Sequence, residues 1–404
     1  MTLLDLLREH PLPKSLSFTR AEYAARLGSV RERMGRDDIG LMIIGNSANQ
    51  CWLTGYESVM PSAPTLLLVP REGDIEAICA DLDVSCVELY STVEVVHVES
   101  WHTGRDITAI VNDRLRALAP GKTRVGVELG RVDGYSSPGI DASTYQQLAG
   151  ALDNDFIDIT LLIPSLRLIK SEKEIDFMRQ AGTYTAAGMQ AALDCIAEGK
   201  TDNDVAAAFA YGAISAGSES MSIDPQIVTG DRCGYMPFLT HKRIALNAGD
   251  TVYLECTGVH NRYNAPLMRS AVIGAPDDTT RTLTDIALAA VEALIGAIKP
   301  GRTANDVAQS VAPVVQHLPD GSYFSGTYGY SCGLGLQPTW SEYPAYIVEG
   351  DDIELAPGMA FHLPIAIWSV SARRGIGFSE TIAVTKTGCA VLTPGPPREL
   401  IVLQ

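Results

Sequence analysis

Glu255 stands inside an apolar run, Thr251-Val-Tyr-Leu-Glu-Cys256. A carboxylate in such a run is costly unless it is paired, so a charge kept there reads as part of a site. Glu380 follows Gly377-Phe-Ser and opens a second apolar run, Thr381-Ile-Ala-Val384. It reads either as a second site acid or as an exposed carboxylate at a strand start. Arg269 also has two readings, a grip on a substrate carboxylate or a structural partner for an acid. His362 alternates with Phe361 and Leu363, which turns its side chain away from theirs, to face either a pocket or the other side of the sheet. His241, beside Lys242 and Arg243, is either a solvated turn residue or a proton carrier. Cys332, in Gly329-Tyr-Ser-Cys-Gly333, reads first as a small packing residue rather than a nucleophile. Trp340, Trp368 and Tyr328 either wall a pocket around a flat cation or belong to the core.

The elements that must position these residues follow from the pattern. Phe18 to Met34 has helical spacing, and Leu41 to Ile44, Thr65 to Val69 and Arg124 to Glu128 read as strands. Trp52-Leu-Thr-Gly-Tyr56 follows a polar turn, and Ile107 to Ala119 reads as a helix. Alternating strands and helices imply an α/β domain with a mixed or parallel sheet. Ser171-Glu-Lys-Glu174 is a capping box that opens a helix to about Ile196, stopped by Gly199. Gly199-Lys-Thr-Asp-Asn-Asp-Val205 recurs as Gly301-Arg-Thr-Ala-Asn-Asp-Val307. Ala248-Gly-Asp-Thr-Val-Tyr-Leu-Glu255 and Ala356-Pro-Gly-Met-Ala-Phe-His-Leu363 repeat a turn before a strand. Two matches in one order imply a duplicated helix–helix–strand half, packed about a pseudo-twofold axis with a site between the copies.

The chain of 404 residues is 46% hydrophobic and 20% charged, with 31 Lys+Arg, 48 Asp+Glu and a net charge of −17. That describes an ordinary globular protein of about two or three domains and excludes disorder as its main state. No basic run of five occurs, and an acidic chain repels phosphate, which excludes a nucleic-acid role. No apolar stretch reaches the roughly 18 residues of a membrane helix. The charged N-terminal segment lacks a secretory core, so a cytoplasmic location is expected. Eight cysteines without a Cys-x-x-Cys pair read as reduced thiols.

Arg167-Leu-Ile-Lys-Ser-Glu-Lys-Glu-Ile175, Gly249-Asp-Thr-Val-Tyr-Leu-Glu255, Gly329-Tyr-Ser-Cys-Gly-Leu334, Pro357-Gly-Met359 and Glu380-Thr-Ile-Ala-Val384 occur in that order. The set resembles the creatinase / aminopeptidase P superfamily. The resemblance implies an α/β N-terminal domain, residues 1–160, and an α+β pita-bread catalytic domain, residues 161–404, with an internal pseudo-twofold duplication. Metallopeptidases of that superfamily hold two metal ions with two Asp, one His and two Glu. Carried over, those positions are Glu255, Pro266, Tyr330, Pro364 and Glu380. Proline has no side-chain ligand, and a phenol is protonated at neutral pH. No metal and no cofactor are therefore expected.

Within the superfamily's metal-free branch the chain is most similar to the ectoine hydrolases. Leu254-Glu-Cys-Thr-Gly258, Arg262-Tyr-Asn-Ala-Pro-Leu-Met-Arg269, Pro338-Thr-Trp-Ser-Glu342 and Gly358-Met-Ala-Phe-His362 with Trp368 carry this likeness. Two departures stand out. Phe238 occupies the superfamily's catalytic-histidine position, with His241 the nearest replacement and His260 and His362 as others. Asn264 stands where ectoine hydrolases have histidine.

Two carboxylates in one pocket repel each other unless one takes a proton or a cation lies between them. A planar amidinium or guanidinium matches a carboxylate fork. The expected function is metal-independent hydrolysis of a non-peptide C–N bond in a small cyclic amidine or guanidino acid. Glu255 is the expected nucleophile or base, Glu380 the amidinium-binding acid and His241 the proton carrier. Phe238, Asn264, Arg269, Tyr330, Cys332, Trp340, His362 and Trp368 are the expected substrate-binding residues. A lyase, isomerase or pseudoenzyme on the same fold is the alternative, given Phe238. A metal-dependent Xaa-Pro aminopeptidase ranks lower. The expected partner is a cationic or zwitterionic small molecule, with neither nucleic acid nor membrane. A homodimer is expected, in which Trp52, Tyr56 and Trp101 of the N-terminal domain help cover the other subunit's pocket.

Overall fold

The computed structural model describes residues 1–59, 65–99, 107–132, 135–136 and 139–404. Trp101 lies outside them. The chain divides into two compact units, Met1–Arg167 and Leu168–Gln404.

The first unit is built on a six-stranded sheet. Leu41–Ile44 lies near its centre, antiparallel to Leu66–Pro70 and parallel to Arg124–Val127, so the sheet is mixed. The helices Arg20–Arg36 and Ile107–Leu118 form where the apolar spacing places them. The polar stretch before Trp52 is not a turn but the start of a helix. Trp52 belongs to this helix, Ser47–Thr54, capped by the Asn46 side chain at one end and by left-handed Gly55 at the other. Trp52 and Tyr56 are both buried in their own unit. The Trp52 carbonyl accepts from Arg26 Nη1 at 2.8 Å, and the Tyr56 hydroxyl bonds to Thr65 and Asp83. Neither ring is free to cover another subunit's pocket.

The second unit carries the duplication in its backbone. The helices Glu172–Cys195 and Asp202–Ser215 form one pair, and Asp278–Ala297 and Ala304–Val315 form the other. Each second helix opens on a capping box, Thr201 with Asp204 and Thr303 with Asp306. The glycine between the helices is left-handed in both copies, φ 83° at Gly199 and 84° at Gly301. Gly199 N donates to Leu246 O, and Gly301 N donates to Leu355 O. Leu246 N and Leu355 N answer to Lys200 O and Arg302 O. The same hydrogen-bonded lock thus ties each helix pair to the segment entering its strand.

Those strands are Thr251–Cys256 and Ala360–His362. The first lies inside a four-stranded sheet, between Gln226–Thr229 and Leu267–Ile273. The second is the middle strand of a five-stranded sheet, flanked by Gly329–Cys332 and Thr381–Val384. Each helix pair closes its own apolar core. One joins Phe209, Leu254 and Leu267, and the other joins Leu294, Phe361 and Phe378. Among the described residues no helix is long and apolar enough to cross a membrane. All eight cysteines are free thiols.

Candidate active site

All six positions of Thr251–Cys256 are buried, so Glu255 is a carboxyl inside the protein. Opposite it in register stand Met268 and Gln226, neither of them a cation. Its hydrogen bond comes from the Tyr253 hydroxyl, at 2.7 Å to Oε2. Tyr253 is two residues back on the same face of the strand. Its ring lies over Gly377, where an added Cβ would stand 2.3 Å from Cε2, so the missing side chain makes room for the ring. Burial pushes the Glu255 carboxyl up to about 7, against a smaller opposing effect of the Tyr253 hydrogen bond.

Glu380 sits in a different environment. Its Oε1 accepts from Arg269 Nη2 at 2.9 Å, and its Oε2 accepts from the Thr393 hydroxyl. Arg398 Nε lies 4.0 Å away. Arg269 is buried, and its Nε and Nη1 donors are engaged by backbone carbonyls. Nε reaches Pro396 O at 2.8 Å, while Nη1 reaches Met268 O at 2.8 Å and Ser379 O at 2.9 Å. Of the two readings of Arg269, the geometry is that of a partner for an acid. Glu380 thus carries its own guanidinium partner, while the Glu255 carboxyl is shifted by burial and the Tyr253 bond rather than by the Glu380 charge. The amidinium role expected of Glu380 falls on a carboxylate whose oxygens are both occupied.

Next to these acids runs a chain of hydrogen bonds. Tyr330 and His362 are opposite each other in register on adjacent strands. Tyr330 Oη lies 2.8 Å from His362 Nδ1 and accepts from Trp340 Nε1 at 2.8 Å. His362 Nε2 lies 2.7 Å from Ser379 Oγ. Burial pushes His362 down to about 3, so it is neutral across the physiological range. Burial, with the nearby charge of Glu255, raises the Tyr330 phenol well above its ordinary value. Glu255, Tyr330, Trp340 and His362 thus form one cluster.

The remaining expected site residues divide. Asn264 is fully buried. Its Nδ2 donates to Arg262 O, Gly333 O and Gly335 O, while its Oδ1 has no hydrogen-bond partner among the described residues. Cys332 is buried on the Tyr330 strand, and burial pushes its thiol up to about 12, which makes it a packing thiol. Trp368 packs at a tilt against Tyr323, with ring centroids 5.1 Å apart and planes at 54°. Tyr328 joins the core of the second helix pair. His241 Nδ1 faces the Thr240 hydroxyl at 3.0 Å. Its loop is tied by Lys242 N and Ile244 N to Asp202, and no hydrogen bond among the described residues joins it to Glu255. Phe238 is 93% exposed. Neither Phe238 nor His241 joins the buried cluster.

Residues not expected from the sequence hold the cluster together. Tyr253 and Ser379 were readable as neighbours of Glu255 and Glu380, but nothing marked their partners. Lys170 and Glu342, both inside matched strings, form a buried ion pair. Glu342 also accepts from Leu334 N at 3.1 Å, which ties down the segment between Tyr330 and Trp340. Gly333 is packed against this pair: an added Cβ would lie 2.9 Å from Lys170 Cε and 3.1 Å from both Glu342 oxygens.

The donor set does not fit a two-metal centre. Pro266 and Pro364 offer no side-chain ligand, the Glu380 oxygens are held by Arg269 and Thr393, and the His362 nitrogens face Tyr330 and Ser379. Among the described residues no three His, Cys, Asp or Glu gather as a metal site.

With this geometry in hand, residues 176–386 match the model of Metallopeptidase family M24, and residues 26–169 match the Creatinase/Prolidase N-terminal domain. The chain belongs to family M24. It is 33% identical over 406 residues to an uncharacterized hydrolase/peptidase of Sinorhizobium fredii, covering 96% of this chain and 99% of that protein. It is 27% identical to the ectoine hydrolase of Halomonas elongata, again over 96% and 99%. The fold matches the Xaa-Pro dipeptidase from Bacillus anthracis at a TM-score of 0.80 and 22% identity, over 94% of this chain and all of that one. The two-domain pita-bread architecture of this M24 chain is thereby established.

Proposed function

We propose that this M24 chain is a metal-independent hydrolase of a non-peptide C–N bond in a small cyclic amidine or guanidino acid. The observation that carries the reading is the contrast between the two acids. Glu380 is neutralised by Arg269, whereas Glu255 is buried beside two phenols with no cation next to it among the described residues. An amidinium supplies the missing positive charge and holds Glu255 as the carboxylate. The likeness to an ectoine hydrolase along the whole chain supports the same substrate class.

In this reading Glu255 takes a proton from the water that attacks the electron-poor amidine carbon. Attack by the carboxylate itself would instead pass through an acyl-type intermediate. Either route adds one water to the substrate. Trp340 gives the flat cation an aromatic neighbour.

The test is a panel of cyclic amidines and guanidino acids followed by mass spectrometry. A product heavier than its substrate by one water, absent with Glu255→Gln, is the expected result. Turnover retained in that variant, or a product of unchanged mass, would overturn the reading; an unchanged mass would point to the lyase or isomerase class.

A further inference from the structure

The Tyr330–His362–Ser379 chain has a direction, and its hydrogen bonds fix it. At the inner end, Met268 N donates to Ser379 Oγ at 2.6 Å. That backbone donor cannot be reversed. Ser379 is fully buried, and the only other partner of its hydroxyl among the described residues is His362 Nε2 at 2.7 Å. At the outer end the Trp340 indole is a donor only, so Tyr330 Oη must accept from it.

His362 is neutral, so one ring nitrogen carries the proton. If it were Nε2, Ser379 Oγ would accept twice and its own buried hydrogen would have nowhere to go, which is costly. If it is Nδ1, the Ser379, His362 and Trp340 donors are all satisfied, and the Tyr330 hydrogen has the Ser341 hydroxyl beside it as acceptor. Ser379 donates to Nε2, and Nδ1 donates to Tyr330 Oη. Tyr330 then accepts from both His362 and Trp340, with the Ser341 hydroxyl also beside it. Its own O–H is released from His362. A phenol oxygen ringed by donors is also built to carry negative charge once its proton leaves.

We propose that Tyr330 is the catalytic proton donor to the leaving nitrogen, held ready by His362 in the Nδ1–H form and by Ser379 and Trp340 as positioning residues. This rests on the hydrolase reading above. As water adds to the amidine carbon, Glu255 takes the water proton. The C–N bond then breaks, its electron pair goes to nitrogen, the Tyr330 proton follows, and the hydroxyl proton of the adduct passes to the departing amine as the C=O forms, so the amine leaves as its ammonium. The proton on Glu255 returns to the tyrosinate. One water is consumed, and both acids end as they began. The order is cooperative, because the charge of Glu255 opposes loss of the Tyr330 proton and is removed once Glu255 is protonated.

Two experiments test this. The first needs no substrate: ¹⁵N-histidine spectra of the intact protein, with His362→Gln to assign the signal. The Nδ1–H tautomer is expected, and Nε2–H overturns the proposal. The second compares Tyr330→Phe with the parent on the amidine panel, after melting curves establish that it folds. A fall in kcat of about 100-fold or more with little change in KM is expected. The deficit should shrink for substrates whose leaving amine is less basic. Ser379→Ala should lower kcat more than it raises KM. An inactive Glu255→Gln beside a fully active Tyr330→Phe would overturn the donor and leave the hydrolase reading standing. An active Glu255→Gln would instead overturn the hydrolase reading.

Discussion

Arg269 Nη2 lies 2.9 Å from Glu380 Oε1 with both side chains buried, whereas buried Glu255 has no cation beside it among the described residues. The two residues are far apart in sequence but meet because Arg269 lies on Leu267–Ile273 and Glu380 lies between Arg374–Phe378 and Thr381–Val384. Breaking a buried pair strands the surviving charge, at a cost of about 3–5 kcal/mol, whereas replacing both partners by neutral groups is far milder. Arg269→Met should therefore destabilise the protein by that amount in urea unfolding. Arg269→Met combined with Glu380→Gln should recover most of the loss. Equal damage from the single and double variants would mean that packing of the guanidinium stem, not charge, is what matters.

Glu255 gives a signed pH effect. Its carboxyl is raised by burial from 4.5 to about 7 in the folded chain. The stability it contributes is fully present below the unfolded value and is lost as pH rises through about 7, amounting to about 3 kcal/mol. Glu255→Gln has no charge to bury. Parent and variant should melt alike near pH 5, and the variant should be the more stable at pH 8. Parallel melting curves at all pH values would refute the buried, cation-free acid. In the hydrolase reading, kcat/KM of the parent rises with pH through the same region, because the carboxylate is the active form.

The ion pair of Lys170 with Glu342 fastens the segment that carries Tyr330 and Trp340. Lys170→Met leaves Glu342 buried and unpaired, so a loss of about 3–5 kcal/mol is expected. Double replacement with Glu342→Gln should restore stability without restoring the Leu334 N bond in full. Proteolysis between residues 329 and 342 should then remain faster than in the parent. A fully protected segment in the double variant would show that the pair adds nothing beyond charge balance.

The parts of this structure that were legible in the sequence are those in which cause and effect lie close together. The Thr201/Asp204 and Thr303/Asp306 boxes, and the left-handed Gly199 and Gly301, are local signals, and the duplication follows from them. The helix around Trp52 was missed although its brackets, Asn46 and Gly55, are local too; the polar stretch between them masked the helical spacing. Glu255 was readable because a charge in an apolar strand is conspicuous. The partner of Arg269 was not, because two far-separated strands must be placed before any register exists. Phe238 shows the same limit from the other side. The motif marks its position, but the fold sets its side chain in solvent rather than beside Glu255.

The donor set finally predicts how the protein responds to metal. A two-metal centre of this superfamily needs five ligands at positions that here include two prolines and a phenol. Of the two acids, Glu380 would have to give up Arg269 and Thr393 to turn toward an ion, and Arg269 would then be stranded. Hard divalent ions favour several charged or carbonyl oxygens, and Glu255 alone is a weak anchor. Incubation with a chelator followed by desalting should leave turnover on an amidine substrate unchanged, and manganese or zinc should not raise the melting temperature. A metal tight enough to matter would do so by mass action, about 2.7 kcal/mol at 100 times its dissociation constant. Loss of activity on chelation, restored by one divalent ion, would overturn metal independence and require Glu255 to act as a ligand.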